Sequence, residues 1–163
     1  MPQFAPLDGR YTADAPHTAR RVLYVEDHPV NVLLMQGLLA QRPGVQLRVA
    51  ASGEEAMHLV LDDPPQLLLL DLHLPDCEGT VLLERLRTLP GMQRVPAVAV
   101  TADEDAALDG TSFLEAWHKP LDLYATLRRL DALLEVGGHA AVREDRLPLR
   151  AGEGRQERMR GMY

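Results

Sequence analysis

The chain has 163 residues, a net charge of −7, and 46% hydrophobic and 25% charged residues. That length supports one domain with a real core rather than two, and the acidic balance offers no basic face for nucleic-acid phosphates. The single cysteine, Cys77, permits no intrachain disulfide and suits a reducing compartment. No apolar stretch approaches the roughly 20 residues needed to span a bilayer, and Pro2, Pro6 and Pro16 interrupt any signal-peptide core. A cytoplasmic location without membrane insertion is expected. The seventeen cations are sixteen arginines and one lysine, Lys119. A compact ammonium and a planar guanidinium are not interchangeable, so a lone lysine in an arginine-biased chain marks a place where a point charge is wanted.

Residues 1–19, rich in Pro, Ala, Thr and Asp without periodicity, are expected to be a disordered lead-in. The run Val22–Glu26 suits a strand buried on both faces. Pro29 fits the first turn of a helix, with Asp27 or His28 at its cap and Val30 to Leu39 giving its apolar face. After the Pro43-Gly44 break, Gln46–Ala50 predicts a second strand. Ser52, with Glu55 three residues on, has the spacing of a capping box, and Pro64-Pro65 ends the helix it starts. Leu67–Leu70, directly before Asp71, is the most apolar strand candidate and is expected at the centre of the sheet. A helix is expected over 78–88, a fourth strand over Ala97–Val100, a fifth over Ser112–Trp117, and a final amphipathic helix over Leu121–Glu135 with Leu123, Leu127, Leu130 and Leu134 at helical spacing. Strands alternating with helices predict an α/β domain over 20–136, its parallel sheet covered on both sides. The Arg-rich stretch 137–163, beginning at Gly137-Gly138, is expected to be a flexible tail.

In an open parallel sheet the functional crevice lies at the carboxyl ends of the strands. Glu26 and Asp27 end the first strand, Asp71 the third, Thr101 the fourth, and Lys119 follows the fifth. Any one of these could be routine: an acid at a helix start is a common N-cap, and Thr101 beside Asp103 could cap a following helix. Capping accounts poorly for the set, because Asp71 follows four leucines and Lys119 sits directly before a proline. Clustered carboxylates need a divalent cation, and an oxygen-only site with few protein ligands suits Mg²⁺. With a hydroxyl and an ammonium beside it, the fitting chemistry is phosphoryl transfer to a carboxylate.

The segments VLYVEDHPVN (22–31), LLLLDLHLPDCEG (67–79), VAVTAD (98–103) and HKPL (118–121) resemble, in order and spacing, the signature of response-regulator receiver domains. The resemblance implies a (βα)₅ doubly wound, flavodoxin-like sheet of order 2-1-3-4-5. It implies that Asp71 accepts a phosphoryl group from a sensor histidine kinase or histidine phosphotransfer protein, the domain catalysing its own phosphorylation and dephosphorylation without being an enzyme in the ordinary sense. It implies Mg²⁺ held by Asp27, Asp71 and the backbone carbonyl of His73, with Glu26 acting through a bound water. Thr101 would contact the phosphoryl group, Lys119 would pair with it, and the Lys119–Pro120 bond would be cis. The local sequence is similar to receivers of hybrid histidine kinases as much as to single-domain regulators, and no output domain is expected after it.

Two departures from that family stand out. Only eighteen positions separate Thr101 from Lys119, about one helical turn fewer than the family has, so a shortened fourth helix is expected over Asp103–Asp109 with Gly110 as its stop. Ala116 stands where the family has Tyr or Phe, and strand alternation points Trp117 to the other face. The usual threonine–aromatic coupling therefore lacks its aromatic at that position, and a receiver-like interaction module with weak or no phosphorylation is the alternative reading. A phosphatase of the haloacid dehalogenase type would need an acid at position 73, which is His73. A nucleotide-binding enzyme lacks its glycine-rich fingerprint. His73 and Asp103, two residues beyond Asp71 and Thr101, resemble positions that tune phosphoryl lifetime. The six histidines show no metal-ligand spacing, and Cys77 has no nearby cation to activate it.

Overall fold

The computed structural model describes residues 19–142, with side chains through residue 135. The expected lead-in lies outside those residues except for residue 19, and the expected tail lies outside them from residue 143 onward. The elements in chain order are β1 (Arg20–Val25), α1 (Pro29–Leu39), β2 (Val45–Ala50), α2 (Gly53–Asp62), β3 (Leu67–Asp71), α3 (Gly79–Arg87), β4 (Ala97–Thr101), β5 (Glu115–His118) and α4 (Leu123–Val142). The strands form one parallel sheet in the order β2-β1-β3-β4-β5. β3 is central, and every residue in it is buried, as four consecutive leucines require of a strand covered on both faces.

Period-2 alternation divides the core into two. Leu23, Val25, Leu68, Leu70 and Ala99 face α2 and α3, meeting Ala56, Val60, Leu82, Leu83 and Leu86. Val22, Tyr24, Leu67, Leu69 and Val100 face α1 and α4, meeting Met35, Leu38, Leu127 and Leu130. Trp117 falls in the second cluster and Ala116 packs against the first, so the strand-alternation reading of β5 holds. Ser52 caps α2 by accepting the Glu55 N–H at 3.1 Å, but the Glu55 carboxylate accepts from Ala51 rather than from Ser52, one residue outside a strict capping box.

The crossover between β4 and β5 differs from expectation. The short helix over 103–109 is absent, and residues 102–114 run as turns and bends. Local side chains take the backbone groups that a helix would pair. Thr101 Oγ1 accepts the Asp103 N–H at 3.0 Å, Asp103 Oδ1 accepts the Asp105 N–H at 3.0 Å, and Thr111 Oγ1 donates to the Leu108 carbonyl at 2.6 Å. Asp, Ser and Thr compete with helix in this way. Gly110 has φ +77°, a left-handed turn rather than a helix stop. The fifth strand consequently starts at Glu115, and Phe113, expected within it, instead plugs the α2–α3 side of the core from the crossover, 9% exposed, with Ala106 and Leu108 packed against the same cluster. Helix α4 also continues through Gly137-Gly138 beyond Glu135, its expected end; glycine inside a helix costs only about 1 kcal/mol.

Phe113 is thus the apolar anchor of a crossover without a helix. Phe113→Ala should lower unfolding stability by about 3 kcal/mol in urea titration. A loss under about 1 kcal/mol would mean that the anchor lies elsewhere in the crossover.

Candidate functional site

The strand ends bring the expected residues together. Glu26 follows β1 and is 1% exposed; Asp71 ends β3 at 8% and Thr101 ends β4 at 0%. Asp27 is exposed at the mouth, and Lys119, just past β5, reaches in from the far side. Its Nζ lies 2.5 Å from Glu26 Oε2 and 2.8 Å from Asp71 Oδ2. The Lys119 backbone is tied to β4 by its N–H, 2.8 Å from the Thr101 carbonyl, and the Lys119–Pro120 bond is cis, as expected. The other oxygen of Asp71, Oδ1, accepts the His73 N–H at 2.9 Å. The His73 ring turns outward, its Nδ1 3.2 Å from Glu78 Oε2. Asp103 is exposed at the rim, its N–H on Thr101 Oγ1, an arrangement that leaves the threonine O–H available to donate.

Sequence reasoning missed the groups that hold Glu26. Oε2 also accepts from the Tyr24 hydroxyl at 3.1 Å and the Asn31 amide at 3.0 Å, and Oε1 accepts the His28 N–H at 3.0 Å. Burial by itself pushes this carboxyl up, but its bonds from Lys119, the His28 N–H and Asn31 outweigh that effect and hold it below the ordinary glutamate value. Burial likewise disfavours the Lys119 ammonium, yet the bonds to Asp71 and Glu26 raise its pKa. Burial, then the neighbouring Glu26 charge, push the Tyr24 phenol far above its usual range, so its proton stays on as a donor. A signal for Tyr24 was present in the sequence: two residues before Glu26 on one strand, it must share that face.

Two further residues shape the loop that carries Asp71. The Gly79 N–H bonds the Leu72 carbonyl at 2.7 Å, and a Cβ there would lie 2.2 Å from the Asp71 carbonyl oxygen, so only glycine fits. The Asp76 carboxylate crosses to α2 and accepts the N–H groups of Gly53 and Glu54 at 2.8 and 2.9 Å, which hold its pKa low.

Carboxylate oxygens of Glu26, Asp27 and Asp71 lie within 4.8 Å of one another, close enough to share one cation. The donors are all hard oxygens, and the exposed Asp27 side leaves room for the waters that Mg²⁺ retains, so the residues fit that ion. Beside the rim, between α1 and the start of α4, runs a groove of about 780 Å³ lined by Tyr24, Asn31, Leu33, Leu34, Lys119 and Leu121. Among the described residues no helix is long and apolar enough to cross a membrane.

A flavodoxin-like parallel sheet whose strand ends gather two acids, a third at the mouth, a threonine and a lysine after β5 defines a receiver of two-component signalling. The family model described as response regulator receiver domain matches residues 22–116, and the chain belongs to that family. It is similar to the polar-differentiation response regulator DivK of Brucella ovis, 31% identical over 83 residues, covering 51% of this chain and 67% of DivK. It is also similar to the signal transduction histidine-protein kinase BarA of Escherichia coli, 33% identical over 89 residues, which cover 55% of this chain but only 10% of that kinase. Among solved structures, a response regulator receiver domain from Methylobacillus flagellatus is 27% identical with a TM-score of 0.63, covering 70% of this chain and 98% of that one. The receiver domain of a Pseudomonas aeruginosa sensor histidine kinase, solved with magnesium in its active-site cleft, shares the fold at 23% identity and a TM-score of 0.65, covering 72% and 98%.

With Lys119 removed, two nearly dry carboxylates would face each other without a cation. Lys119→Met should destabilise the chain by about 3 kcal/mol in metal-free buffer at pH 7. The deficit should shrink as pH is lowered from about 7 to 4, because without the lysine burial raises the Glu26 carboxyl and its protonation relieves the repulsion. A deficit that stays constant across that range in chemical denaturation would mean that repulsion is not its cause.

Proposed function

We propose that the chain accepts a phosphoryl group on Asp71 in a Mg²⁺-dependent reaction, from a phosphohistidine of a sensor kinase or phosphotransfer protein. The observation that carries this is the bridge from Lys119 to both Asp71 and Glu26, beside an acid triad sized for one cation. In this reading Asp71 Oδ2 is the oxygen that meets the phosphorus, since Oδ1 is held by the His73 N–H. Asp27 and Asp71 hold the metal with the His73 carbonyl, and Glu26 acts through water. The cation supplies neutralisation of charge on the phosphoryl oxygens. Lys119 turns to those oxygens, and the Thr101 hydroxyl donates to them.

The direct test is incubation with acetyl phosphate and Mg²⁺, read by intact mass. An adduct of about 80 Da, lost without Mg²⁺ and absent from Asp71→Asn, is the expected result. No adduct on the wild-type chain would favour the unphosphorylated interaction module.

A protein donor also needs a place to dock, and α1 presents Leu33 and Leu34 at 66% and 65% exposure along the groove beside the rim, with Val30 exposed earlier on the same helix. Exposed apolar side chains gathered in one place mark an interaction face. Leu34→Asp should slow transfer from a phosphotransfer protein active on the wild-type chain by tenfold or more, about 1.4 kcal/mol. Transfer from acetyl phosphate should remain within about twofold. Equal slowing with both donors would place Leu34 in the chemistry rather than the docking.

A further inference from the structure

Strand alternation sets Tyr24 and Glu26 on one face of β1, so the ring lies along the strand and its hydroxyl meets the carboxylate two residues on. Both residues are 1% exposed. Phenylalanine would fill this apolar cluster equally well. A buried hydroxyl is costly unless it is bonded, so the oxygen of Tyr24 has its use at Glu26. Asn31, in the first turn of α1, reaches the same carboxylate oxygen from the other side. Glu26 Oε2 therefore takes three donors, Tyr24, Asn31 and Lys119, whereas Oε1 takes only the His28 N–H. Each carboxylate oxygen has about two lone-pair sites, so Oε2 is the anchored atom and Oε1 keeps capacity to face a cation or its water.

Only one of the three donors on Oε2 is mobile in the reaction. When Lys119 turns to an arriving phosphoryl group, Oε2 of this nearly dry carboxylate loses the lysine and keeps only the two neutral donors, Tyr24 and Asn31. We propose that Tyr24, supported by Asn31, is a positioning residue that keeps the Glu26 carboxylate aimed at the metal, both while Lys119 rests on it and when Lys119 turns away. The clamp sets the affinity for the cation rather than the rate of the chemical step. This inference rests on the magnesium-dependent reading above.

The test is Tyr24→Phe, which removes one hydroxyl and keeps the ring. Mg²⁺ binding is measured by calorimetry without a phosphodonor, and the Mg²⁺ dependence of acetyl-phosphate labelling is measured alongside. The dissociation constant and the half-saturating Mg²⁺ concentration should both rise about three- to tenfold, with the labelling rate at saturating Mg²⁺ within about twofold of wild type. Asn31→Ala should move both in the same direction, and it carries the test if Tyr24→Phe does not fold. Unchanged Mg²⁺ affinity, with only the thermal midpoint lowered, would overturn the role and leave Tyr24 structural. A slower rate at saturating Mg²⁺ with unchanged affinity would also overturn it. A wild-type chain that binds no Mg²⁺ would overturn the magnesium reading and this inference together; a wild type that binds, beside a Tyr24→Phe that binds equally, would overturn this inference alone.

Discussion

The lysine bridge is the interaction on which the rim depends. Glu26 and Asp71 sit at the ends of adjacent strands, 1% and 8% exposed, and neither can carry its charge there beside the other without a cation. Lys119 supplies it, but only because β5 lies at the far edge of the same sheet and its end is tied to Thr101 by a backbone bond. The order β2-β1-β3-β4-β5 is therefore an electrostatic requirement as well as a topology. A lysine stem spans from the fifth strand to the first and third, and its point charge meets both oxygens at once.

Around that bridge the chain divides its labour by face. The α2–α3 side is sealed by leucines and by Phe113 from the crossover, and the loop after Asp71 is pinned there by Gly79 and Asp76. The α1–α4 side carries Tyr24 and Asn31, and its groove opens beside the same acid that they hold. The tightly packed face fixes where Asp71 stands; the grooved face reaches the machinery that faces it.

The strands and the acid rim were legible because their signals are local and strong. Four leucines ending in Asp71 leave one place in a doubly covered sheet, and Lys119 stood out by being the chain's only lysine. The crossover was misread because Asp103 to Asp109 has no residue that forbids helix; its outcome turns on which backbone groups Thr101, Asp103 and Thr111 capture, and that competition is decided in three dimensions. The continuation of α4 through Gly137-Gly138 was missed because a glycine pair was weighed as a stop. The hold on Glu26 escaped notice because Asn31 lies a turn into another element and Tyr24 reads as core.

The two oxygens of Asp71 have unlike neighbours: a backbone N–H on Oδ1 and an ammonium on Oδ2. Asparagine has the same outline but one acceptor and one donor end. Placed with its oxygen toward His73, it sets its NH₂ against the lysine ammonium; flipped, it sets that NH₂ against the His73 N–H. Either orientation opposes two donors, and the first pushes Lys119 onto Glu26 alone. Asp71→Asn is thus sound for mapping where the phosphoryl group attaches, but it is not a neutral picture of the resting protein. Asp71→Ala, which opposes no donors, is the fitter reference for the unphosphorylated shape.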